Sequence, residues 1–413
     1  MIDKSKIALF GYGKTTKAIA KKLGGNCNFF DDNTKEHFID DAGNSIYPSS
    51  AFDAANFDLE VATPSLYPSN PLVQQSNNLL SEYDLFLSKA SPLIAQDATL
   101  PLTIWISGTN GKTTTTQMLT HLLKEKGALS GGNIGTPLAE LDSNAPIWVL
   151  ETSSFTLHHT KYASPNIYLL LPITPDHLDW HAGSDNYIED KLKPLKTMQE
   201  GELALVPKGL ALPKGNAWVV EYEDIEDIEK FFKIDSSKIK FKGAFLLDSI
   251  LAMAIVKVLY DSIDYSAINS FILDAHRQEE LSDTKGRLWV NDSKATNIDA
   301  ALQAIKLYND KEIHLILGGD DKGVDLEPLF QEIAGLNVNI YAIGSNADKI
   351  EQLAKEYSIN CINATLLENA LKAIDSVHTT KSVALLAPAA SSLDQFSSYA
   401  QRGDLFKNFV KKI

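Results

Sequence analysis

A glycine-rich loop carries the most specific chemical signal in this 413-residue sequence. The run GTNGKT at Gly108–Thr113 follows an apolar, strand-like segment, Leu102–Ile106, and precedes a helix-like stretch, Thr113–Lys126. In such a loop the backbone amides can surround phosphate oxygens at a helix N-terminus, while lysine reaches the outer phosphates and threonine binds Mg²⁺. Ile106 stands where the usual GxxxxGK[ST] pattern has its first glycine, so an ordinary strand–helix turn is the alternative. We predict a nucleotide phosphate site.

Two further predicted strands end in polar side chains that could hold a metal ion. Glu151 follows Ile147–Leu150, and His177, with acids on either side, follows Ile167–Leu171. The carboxyl ends of parallel strands face the ligand crevice of an open α/β sheet, where a carboxylate can hold the Mg²⁺ of a bound nucleotide. An N-capping cluster before a helix is the alternative role of Glu151. Lys191, by its local pattern alone, is a solvated helix lysine.

A weaker signal lies near the N-terminus, in the run GYGKTT at Gly11–Thr16. Thr16 replaces the third glycine of the GxGxxG pattern, although Asp31 follows at a suitable distance to meet a ribose hydroxyl. The segment predicts a dinucleotide site or a nucleotide-diphosphate site. A plain tight turn between strand and helix is the alternative.

Polar clusters follow three predicted strands in the last third of the chain, at Asn291–Asn297, Gly318–Lys322 and Ser391–Phe396. Polar side chains at successive strand ends are typical of a cleft wall. Basic side chains in or near these clusters would suit an acidic substrate: Lys294, Lys322 and Arg402.

The elements that must position these residues alternate between short apolar runs and helix-like stretches, which predicts an α/β fold with parallel sheets. We expect three domains: a Rossmann-like domain over residues 1–88, a central P-loop ATPase-like domain over 89–274 and a Rossmann-like domain over 275–413. Ala90–Leu102 has the composition of a linker. The predicted strands are Ile7–Phe10, Cys27–Phe30, Leu59–Ala62, Leu102–Ile106, Ile147–Leu150, Ile167–Leu171, Leu203–Val206, Leu288–Val290, Ile313–Leu317, Val338–Ile343 and Val383–Leu386. The predicted helices are Lys17–Leu23, Thr113–Lys126, Ala244–Leu259, Asp299–Leu307, Leu326–Ala334 and Ala347–Glu356.

The composition is that of a soluble globular protein, with 44% hydrophobic and 22% charged residues. A net charge of −15 argues against a nucleic-acid partner, because phosphate contacts need clustered Lys and Arg. Cys27 and Cys361 have no CxxC or His-rich neighbours, which argues against a disulfide framework or zinc site and favours a reducing cytoplasm. Apolar stretches such as Ile167–Ile173 are too short to span a bilayer, and no secretory signal is visible, so we expect no membrane partner.

Taken together, the motifs resemble those of the Mur ligases of bacterial cell-wall synthesis along the whole chain. The matching motifs are GTNGKT at Gly108–Thr113, GGNIG at Gly131–Gly135, ETSSF at Glu151–Phe155, the pair Asp176 and His177, YxxxK ending at Lys191, the pair His276 and Arg277, NDSKATN at Asn291–Asn297, GGDDK at Gly318–Lys322, and a tail from Ala387 through SLDQF to Gly403. Within that family, NDSKATN combined with SLDQF and QRG is similar to the D-glutamate-adding branch.

This resemblance implies ATP-dependent ligation of D-glutamate to UDP-N-acetylmuramoyl-L-alanine through an acyl phosphate, giving ADP and phosphate. A monomer that uses these three small molecules and two Mg²⁺ ions is expected. The resemblance implies ATP binding by Gly108, Thr109, Asn110, Gly111, Lys112, Thr113, Thr114, Arg277 and Asp292. It implies binding of the UDP substrate by Gly13, Lys14, Thr15, Asp31, Asp32, Asn133 and His177, and of D-glutamate by Thr296, Lys322, Ser392 and Tyr399. The implied metal ligands are Thr113, Glu151, His177 and a carbamylated Lys191, and the implied catalytic residues are Lys112, His177 and Lys191.

Two positions depart from the family pattern. The adenine-side HNxxN motif falls within Phe245–Ser249, where neither asparagine is present, so Asp248 and Ser249 are the candidate substitutes. Asn33 stands where an arginine would contact the uracil side. Three alternatives stay open: another ligase such as a folylpolyglutamate synthetase or a different cell-wall ligase, a P-loop nucleotide switch that joins no substrates, and NAD-dependent chemistry at Gly11–Thr16.

Overall fold

The computed structural model describes residues 3–133 and 135–413, so Met1, Ile2 and Ile134 of the GGNIG motif lie outside the described residues. The chain divides into two compact units. One comprises Met1–Phe241 with Phe245–Phe271, and the other Lys242–Ala244 with Ile272–Ile413. The boundary predicted near residue 275 is close to this division, while a separate domain over residues 1–88 stays a prediction.

The first unit begins with a six-stranded sheet whose strands are β1 (Ile7–Phe10), β2 (Asn28–Asp31), β3 (Phe38–Ile39), β4 (Ser45–Pro48), β5 (Leu59–Ala62) and β6 (Leu79–Leu80). The sheet order is β3-β4-β2-β1-β5-β6, and its pairs are parallel except for β3 with β4. Its helices are α1 (Lys14–Leu23), α2 (Pro71–Gln75) and α3 (Glu82–Leu87). Since β1 lies in the middle, the turn that follows it opens at the carboxyl edge of the sheet.

A second, wholly parallel sheet in the same unit consists of β7 (Leu102–Ser107), β8 (Ala128–Gly132), β9 (Ile147–Glu151), β10 (Ile167–Leu170), β11 (Leu203–Pro207) and β12 (Trp218–Tyr222). Its order is β12-β11-β10-β7-β9-β8, so β7 lies between the two strands that end near Glu151 and His177. The helices are α4 (Lys112–Leu122), α5 (Ser154–His159), α6 (Leu178–His181), α7 (Ser184–Leu192), α8 (Pro194–Thr197), α9 (Ile225–Phe232), α10 (Gly243–Tyr260) and α11 (Tyr265–Ser270).

The second unit is built on a sheet of β13 (Glu279–Ser282), β14 (Leu288–Asn291), β15 (Glu312–Gly318), β16 (Val338–Ile343), β17 (Asn360–Thr365) and β18 (Ser382–Leu386). The order is β13-β14-β18-β15-β16-β17, and only β13 with β14 is antiparallel. The helices are α12 (Ile298–Lys306), α13 (Glu327–Ile333), α14 (Ala347–Glu356), α15 (Leu367–Val377) and α16 (Tyr399–Val410). The last strand in the chain thus lies between β14 and β15.

These elements confirm the predicted α/β class. β1, β5, β16 and α14 have the predicted bounds, and every other predicted strand or helix is present with one or both ends displaced by one to four residues. The largest displacements are at the start of α1, which begins at Lys14 instead of Lys17, and at the end of α4. Both cysteines are free, as expected.

Helix α10, with 18 residues, is longer than the apolar stretches on which the expectation of no membrane partner was based. Among the described residues, α10 is a helix that is long enough and apolar enough to cross a membrane, judged by length and composition only. Its mean hydropathy is 1.8. Half of it is buried inside the protein, which is typical of the core helix of a globular domain.

Candidate active site

The predicted phosphate-binding loop, Gly108–Thr113, connects β7 to α4, and its conformation depends on its two glycines. Gly108 and Gly111 have φ values of +139° and +82°, which a side chain makes unfavourable. A Cβ atom on Gly108 would lie 2.5 Å from the Leu171 Cβ, and one on Gly111 would lie 2.5 Å from Asp248 Oδ1. The loop therefore has glycine wherever the chain turns back or passes close to a neighbour.

Two lysine side chains meet at the carbonyl of Gly108. Lys112 Nζ donates to the carbonyl oxygens of Gly108 at 3.0 Å and Thr109 at 2.7 Å. Lys191 Nζ donates to the same Gly108 oxygen at 2.8 Å. Lys112 is thus folded over its own loop, at the end of the helix where phosphate oxygens would bind.

Lys191 is 1% exposed, so its local reading as a solvated helix lysine is wrong. Its Nζ also lies 4.7 Å from the centre of the Tyr187 ring. Burial, followed by the nearby charge of Lys112, lowers the pKa of Lys191 well below the ordinary range of a lysine. Burial therefore disfavours the ammonium form of Lys191 relative to that of an exposed lysine.

Glu151 lies at the end of β9 with both carboxylate oxygens directed at predicted site residues. Thr113 Oγ1 donates to Glu151 Oε2 at 2.7 Å, and Asn133 Nδ2 donates to Glu151 Oε1 at 2.8 Å. The alternative capping role belongs instead to Ser153, whose side chain accepts the Thr156 amide at 3.1 Å. A hydroxyl and a carboxylate in contact at a phosphate loop are the hard oxygen donors that Mg²⁺ prefers.

His177 follows β10 and adopts a left-handed backbone conformation with φ of +52°. Its side chain is 50% exposed, and Nε2 lies 3.5 Å from Asp176 Oδ2. The ring of Phe155, in the helix after Glu151, packs against it with 4.8 Å between ring centres. The structure therefore brings Thr113, Glu151 and Asn133 into direct contact, with His177 beside the helix that follows.

Two tyrosines support this site although neither was predicted to act in it. The hydroxyl of Tyr187 lies 3.0 Å from Thr109 Oγ1 in the predicted phosphate-binding loop. Tyr83, on α3, donates to the Glu151 carbonyl oxygen at 3.1 Å. The YxxxK spacing could have identified Tyr187, whereas no local pattern marks Tyr83.

The turn at Gly11–Thr16 is closed by its own side chains. Thr16 Oγ1 accepts from the Gly13 amide at 3.2 Å and donates to the Gly11 carbonyl at 2.5 Å, so threonine can replace the third glycine. Asp31 Oδ2 accepts from the Tyr12 amide at 2.8 Å. Lys14, at the start of α1, donates its Nζ to the carbonyl oxygen of Gly135.

Asp32 and Thr15 are two other predicted substrate-binding residues of this region. Asp32 Oδ2 accepts from the Asn70 side chain at 2.8 Å, which places it near the start of α2. Thr15 lies in the first turn of α1 and is partly exposed. The predicted residues of this region therefore gather around one sheet edge.

In the second unit, the loops after β14, β15 and β18 contact one another. The backbones of Asp320 and Ser391 exchange two hydrogen bonds of 2.9 Å, and the Ala389 amide donates to the Ala295 carbonyl at 3.0 Å. Predicted D-glutamate residues lie on these loops or directly after them: Thr296 and Lys322 exposed, Tyr399 half-buried, Ser392 buried. One sheet edge thus carries all four.

Arg402 corrects the expectation that it faces an acidic substrate. It is fully buried, and its guanidinium donates to Ser293 Oγ and to the Ser293 carbonyl at 2.9 Å each, and to the Ala390 carbonyl at 3.3 Å. Lys294 instead lies near the loops, with Nζ 4.1 Å from the centre of the Tyr399 ring. Arg402 therefore holds the loops together, whereas Lys294 is partly exposed.

The two predicted nucleotide residues of the second unit are close in sequence to β13 and β14. Asp292 is buried and accepts from the Gln278 amide at 3.3 Å, while Arg277 is partly exposed. Burial raises the pKa of Asp292 to about 7, an effect that the charge of Arg277 opposes.

The two candidate substitutes at the adenine side, Asp248 and Ser249, lie in α10 and have different surroundings. Ser249 Oγ donates to the Leu246 carbonyl within the helix at 2.8 Å. Asp248 Oδ1 faces Gly111 of the predicted phosphate-binding loop. Of the two, Asp248 is therefore the one that lies against the Gly108–Thr113 loop.

Comparisons with known proteins identify the chains to which this sequence is similar. A family model described as the Mur ligase middle domain matches residues 106–212. A UDP-N-acetylmuramoylalanine--D-glutamate ligase of Campylobacter jejuni is 49% identical over 411 residues, covering 99% of this chain and 100% of the relative. One of the same name from Helicobacter pylori is 45% identical over 425 residues, covering 98% and 100%.

Solved structures show the same fold. The MurF ligase of Thermotoga maritima in complex with ADP aligns with a TM-score of 0.56 at 15% identity, covering 86% of this chain and 94% of that one. The UDP-N-acetylmuramate-alanine ligase MurC of the same organism aligns with a TM-score of 0.54 at 15% identity, covering 98% and 99%.

Proposed function

The chain belongs to the family of UDP-N-acetylmuramoylalanine–D-glutamate ligases, and on that premise we propose that it joins D-glutamate to UDP-N-acetylmuramoyl-L-alanine while ATP becomes ADP and phosphate. The observation that carries this proposal is the contact of Thr113 with Glu151 beside the lysine-bearing phosphate loop. The full-length likeness to D-glutamate ligases supports the choice of amino acid. Such a reaction supplies a peptidoglycan precursor.

In the proposed reaction, a carboxylate oxygen of the substrate attacks the γ-phosphorus, and the bond to the leaving ADP oxygen breaks. Lys112 leaves the carbonyls of Gly108 and Thr109 and neutralises charge on the transferring phosphoryl group. The amine of D-glutamate then attacks the acyl carbon of the acyl phosphate. Phosphate departs and the nitrogen loses a proton, which leaves the new amide bond.

Mg²⁺ fits the oxygen donors of this site. We propose that Thr113 and Glu151 hold one ion, and that Glu151, His177 and Lys191 hold a second. Bound Mg²⁺ would supply charge neutralisation at the phosphates. The catalytic residues in this proposal are Lys112, His177 and Lys191.

Carbamylation of Lys191 would supply the oxygen that its amine lacks. An ammonium group would repel a cation, whereas a neutral amine can add to CO₂, lose a proton and give an anionic carbamate. Burial of Lys191 favours the neutral amine that this addition requires. The carbamate oxygens would then be hard ligands of the same kind as Glu151.

The remaining assignments follow the three proposed domains, residues 1–88, 89–274 and 275–413. The first would hold the UDP group through Gly13, Lys14, Thr15, Asp31 and Asp32, with Asn133 and His177 of the second contacting the muramoyl part. The second would bind ATP through residues 108–114, and the third would supply Arg277 and Asp292 to the nucleotide. D-glutamate would bind to Thr296, Lys322, Ser392 and Tyr399, in a monomeric cytoplasmic enzyme.

Amino-acid selectivity tests the proposal directly. Purified full-length protein is incubated with ATP, Mg²⁺, UDP-N-acetylmuramoyl-L-alanine and one amino acid, and both phosphate release and the UDP-linked product are measured. We expect product only with D-glutamate. Preference for L-alanine, L-lysine or L-glutamate would overturn the substrate assignment. Nucleotide binding without any joined product would indicate a nucleotide switch, and NADH binding would revive the dinucleotide reading of Gly11–Thr16.

A further inference from the structure

A buried carboxylate at the junction of three short helices has no part in the reaction described above. Asp190, on α7, is 5% exposed and is adjacent to Lys191. We propose that Asp190 is a positioning residue that fixes Glu151, His177 and Lys191 relative to one another. The inference rests on the proposed function, because these three residues are its metal ligands.

The contacts of Asp190 join three helices through one oxygen atom. His158 of α5 lies with Nδ1 2.8 Å from Asp190 Oδ2, and His181 of α6 lies with Nδ1 2.9 Å from the same atom. Charge-assisted hydrogen bonds in a buried setting are stronger than neutral bonds at the surface. One carboxylate therefore ties α5 and α6 to α7.

Each tied helix carries, or directly follows, one of the proposed ligands. Helix α5 begins three residues after Glu151, His177 is the N-cap of α6, and Lys191 follows Asp190 on α7. A shift of any one helix would therefore displace one ligand from the others. Metal sites depend on such outer contacts, since the groups behind the ligands set their orientation.

Two further contacts stiffen the junction. His181 Nε2 lies 2.9 Å from Ser154 Oγ, so both ring nitrogens of this imidazole hold neighbouring helices. The Phe155 ring stacks on His181 with 5.6 Å between ring centres and 8° between planes. Because the same Phe155 ring also packs on His177, the junction extends to the exposed ligand itself.

His158, His181 and Asp190 also have the donor types of a transition-metal site. One ligand atom from each lies within 4.8 Å of the other two. However, Lys193 Nζ lies 3.3 Å from Asp190 Oδ1 and already supplies a positive charge to the carboxylate. Both imidazoles also lie at hydrogen-bond distance from a single oxygen. The cluster is therefore complete as a hydrogen-bonded network.

The dependence of activity on Mg²⁺ concentration tests the proposal in the full-length protein. For Asp190→Ala and Asp190→Asn we expect the half-saturating Mg²⁺ concentration to rise about 10-fold or more, the range seen when outer contacts of metal ligands are removed. The KM for D-glutamate should change by less than about twofold, because that site belongs to other loops. Asp190→Asn should be the milder change, since its amide oxygen can still accept one hydrogen bond.

His159→Gln is the matched control. His159 is the next residue to His158 on α5 and is also buried, but its Nε2 contacts the carbonyl oxygen of Leu66 at 3.1 Å. We expect this variant to lower thermal stability without moving the Mg²⁺ dependence. Equal Mg²⁺ shifts in His159→Gln and Asp190→Ala would show a merely structural role and overturn the proposal.

A second pair keeps the test decisive if the Asp190 variants do not fold. His158→Asn keeps an N–H donor close to the position of Nδ1 and should stay close to the wild type, whereas His158→Leu should reproduce the raised Mg²⁺ requirement. Equal Mg²⁺ dependence in the two variants would overturn the proposal. So would stoichiometric zinc in the purified protein that is lost in His158→Leu, because the cluster would then be a metal site.

The proposed function and this inference fail separately. A wild-type protein without D-glutamate ligase activity would refute the function, and Mn²⁺ binding in the presence of ADP, followed by electron paramagnetic resonance, would then replace the activity readout. An active wild type whose Asp190 and His158→Leu variants keep the wild-type Mg²⁺ dependence would refute the inference alone.

Discussion

The turn at Gly11–Thr16 and the loop at Gly108–Thr113 both connect a buried strand to a helix that begins with lysine followed by threonine. Their surroundings differ. Lys112 folds back onto its own loop, while Lys14 reaches a different segment at Gly135. Similar local sequences therefore acquire their chemistry from what lies around them.

The difference extends to the groups behind each turn. Asp31 accepts the Tyr12 amide of the first turn, so one backbone donor there is already engaged by a carboxylate. Behind the second loop lies Lys191, whose Nζ donates to the carbonyl oxygen of Gly108. The second loop therefore has two lysine side chains at one carbonyl, whereas the first turn has a carboxylate at one amide.

Lys112→Ala should have the largest effect. Because the phosphoryl group loses its counter-charge, we expect kcat to fall at least about 100-fold, as when one preorganised electrostatic donor is removed. Phosphate release in the complete reaction measures it. A variant with near-normal rates would show that the two turns do not differ in catalytic importance.

Lys191→Ala tests whether the lysine behind the second loop acts through a carbamate. We expect a loss of about 10- to 100-fold in activity at subsaturating Mg²⁺, because a metal ligand is removed. Short carboxylates such as formate or acetate should restore part of it by occupying the space of the carbamate. Unaltered activity in this variant would mean that Lys191 serves packing alone.

The glycine before each lysine provides a matched pair. Gly111→Ala should destabilise the folded protein by about 1–2 kcal/mol through its left-handed backbone, and more through the close approach of Asp248. Gly13→Ala should change stability by less than about 0.5 kcal/mol, since Gly13 is extended, with open space around its Cβ position. Chemical denaturation of both variants measures the contrast, and equal losses would contradict it.

Lys14→Ala should have the smallest effect on turnover. Loss of one charged contact should raise the KM for the UDP substrate roughly 10-fold. The kcat should change by less than about twofold, because binding alone is affected. Steady-state kinetics with varied UDP substrate separate the two constants, and a fall in kcat comparable to that of Lys112→Ala would remove the distinction between the turns.

The sequence was most informative where a strand is buried on both faces or a helix is strongly amphipathic. β1, β5, β16 and α14 have the predicted bounds because their apolar patterns begin and end at loop residues. Edge strands such as β12 and β17 were missed because several of their residues are exposed and carry no continuous apolar run. Edge strands commonly have this weaker pattern.

Within the site, single residues at strand ends were predictable, but partnerships across the fold were not. Glu151 and Thr113 follow from local motifs, whereas the burial of Lys191 and the fully engaged guanidinium of Arg402 depend on distant segments. The junction at Asp190 likewise unites residues of three helices that carry no common local pattern. Long-range packing decides which polar residues face a ligand.

The position of β18 between β14 and β15 affects how the second unit folds during synthesis. During synthesis both neighbours leave the ribosome before the strand that joins them, so each must wait with an unpaired edge. Non-local strand pairing of this kind slows folding and exposes the nascent chain to aggregation. A chain that ends before Ser382 would lack the centre of its third sheet, and the loops proposed to bind D-glutamate would have no scaffold on which to form.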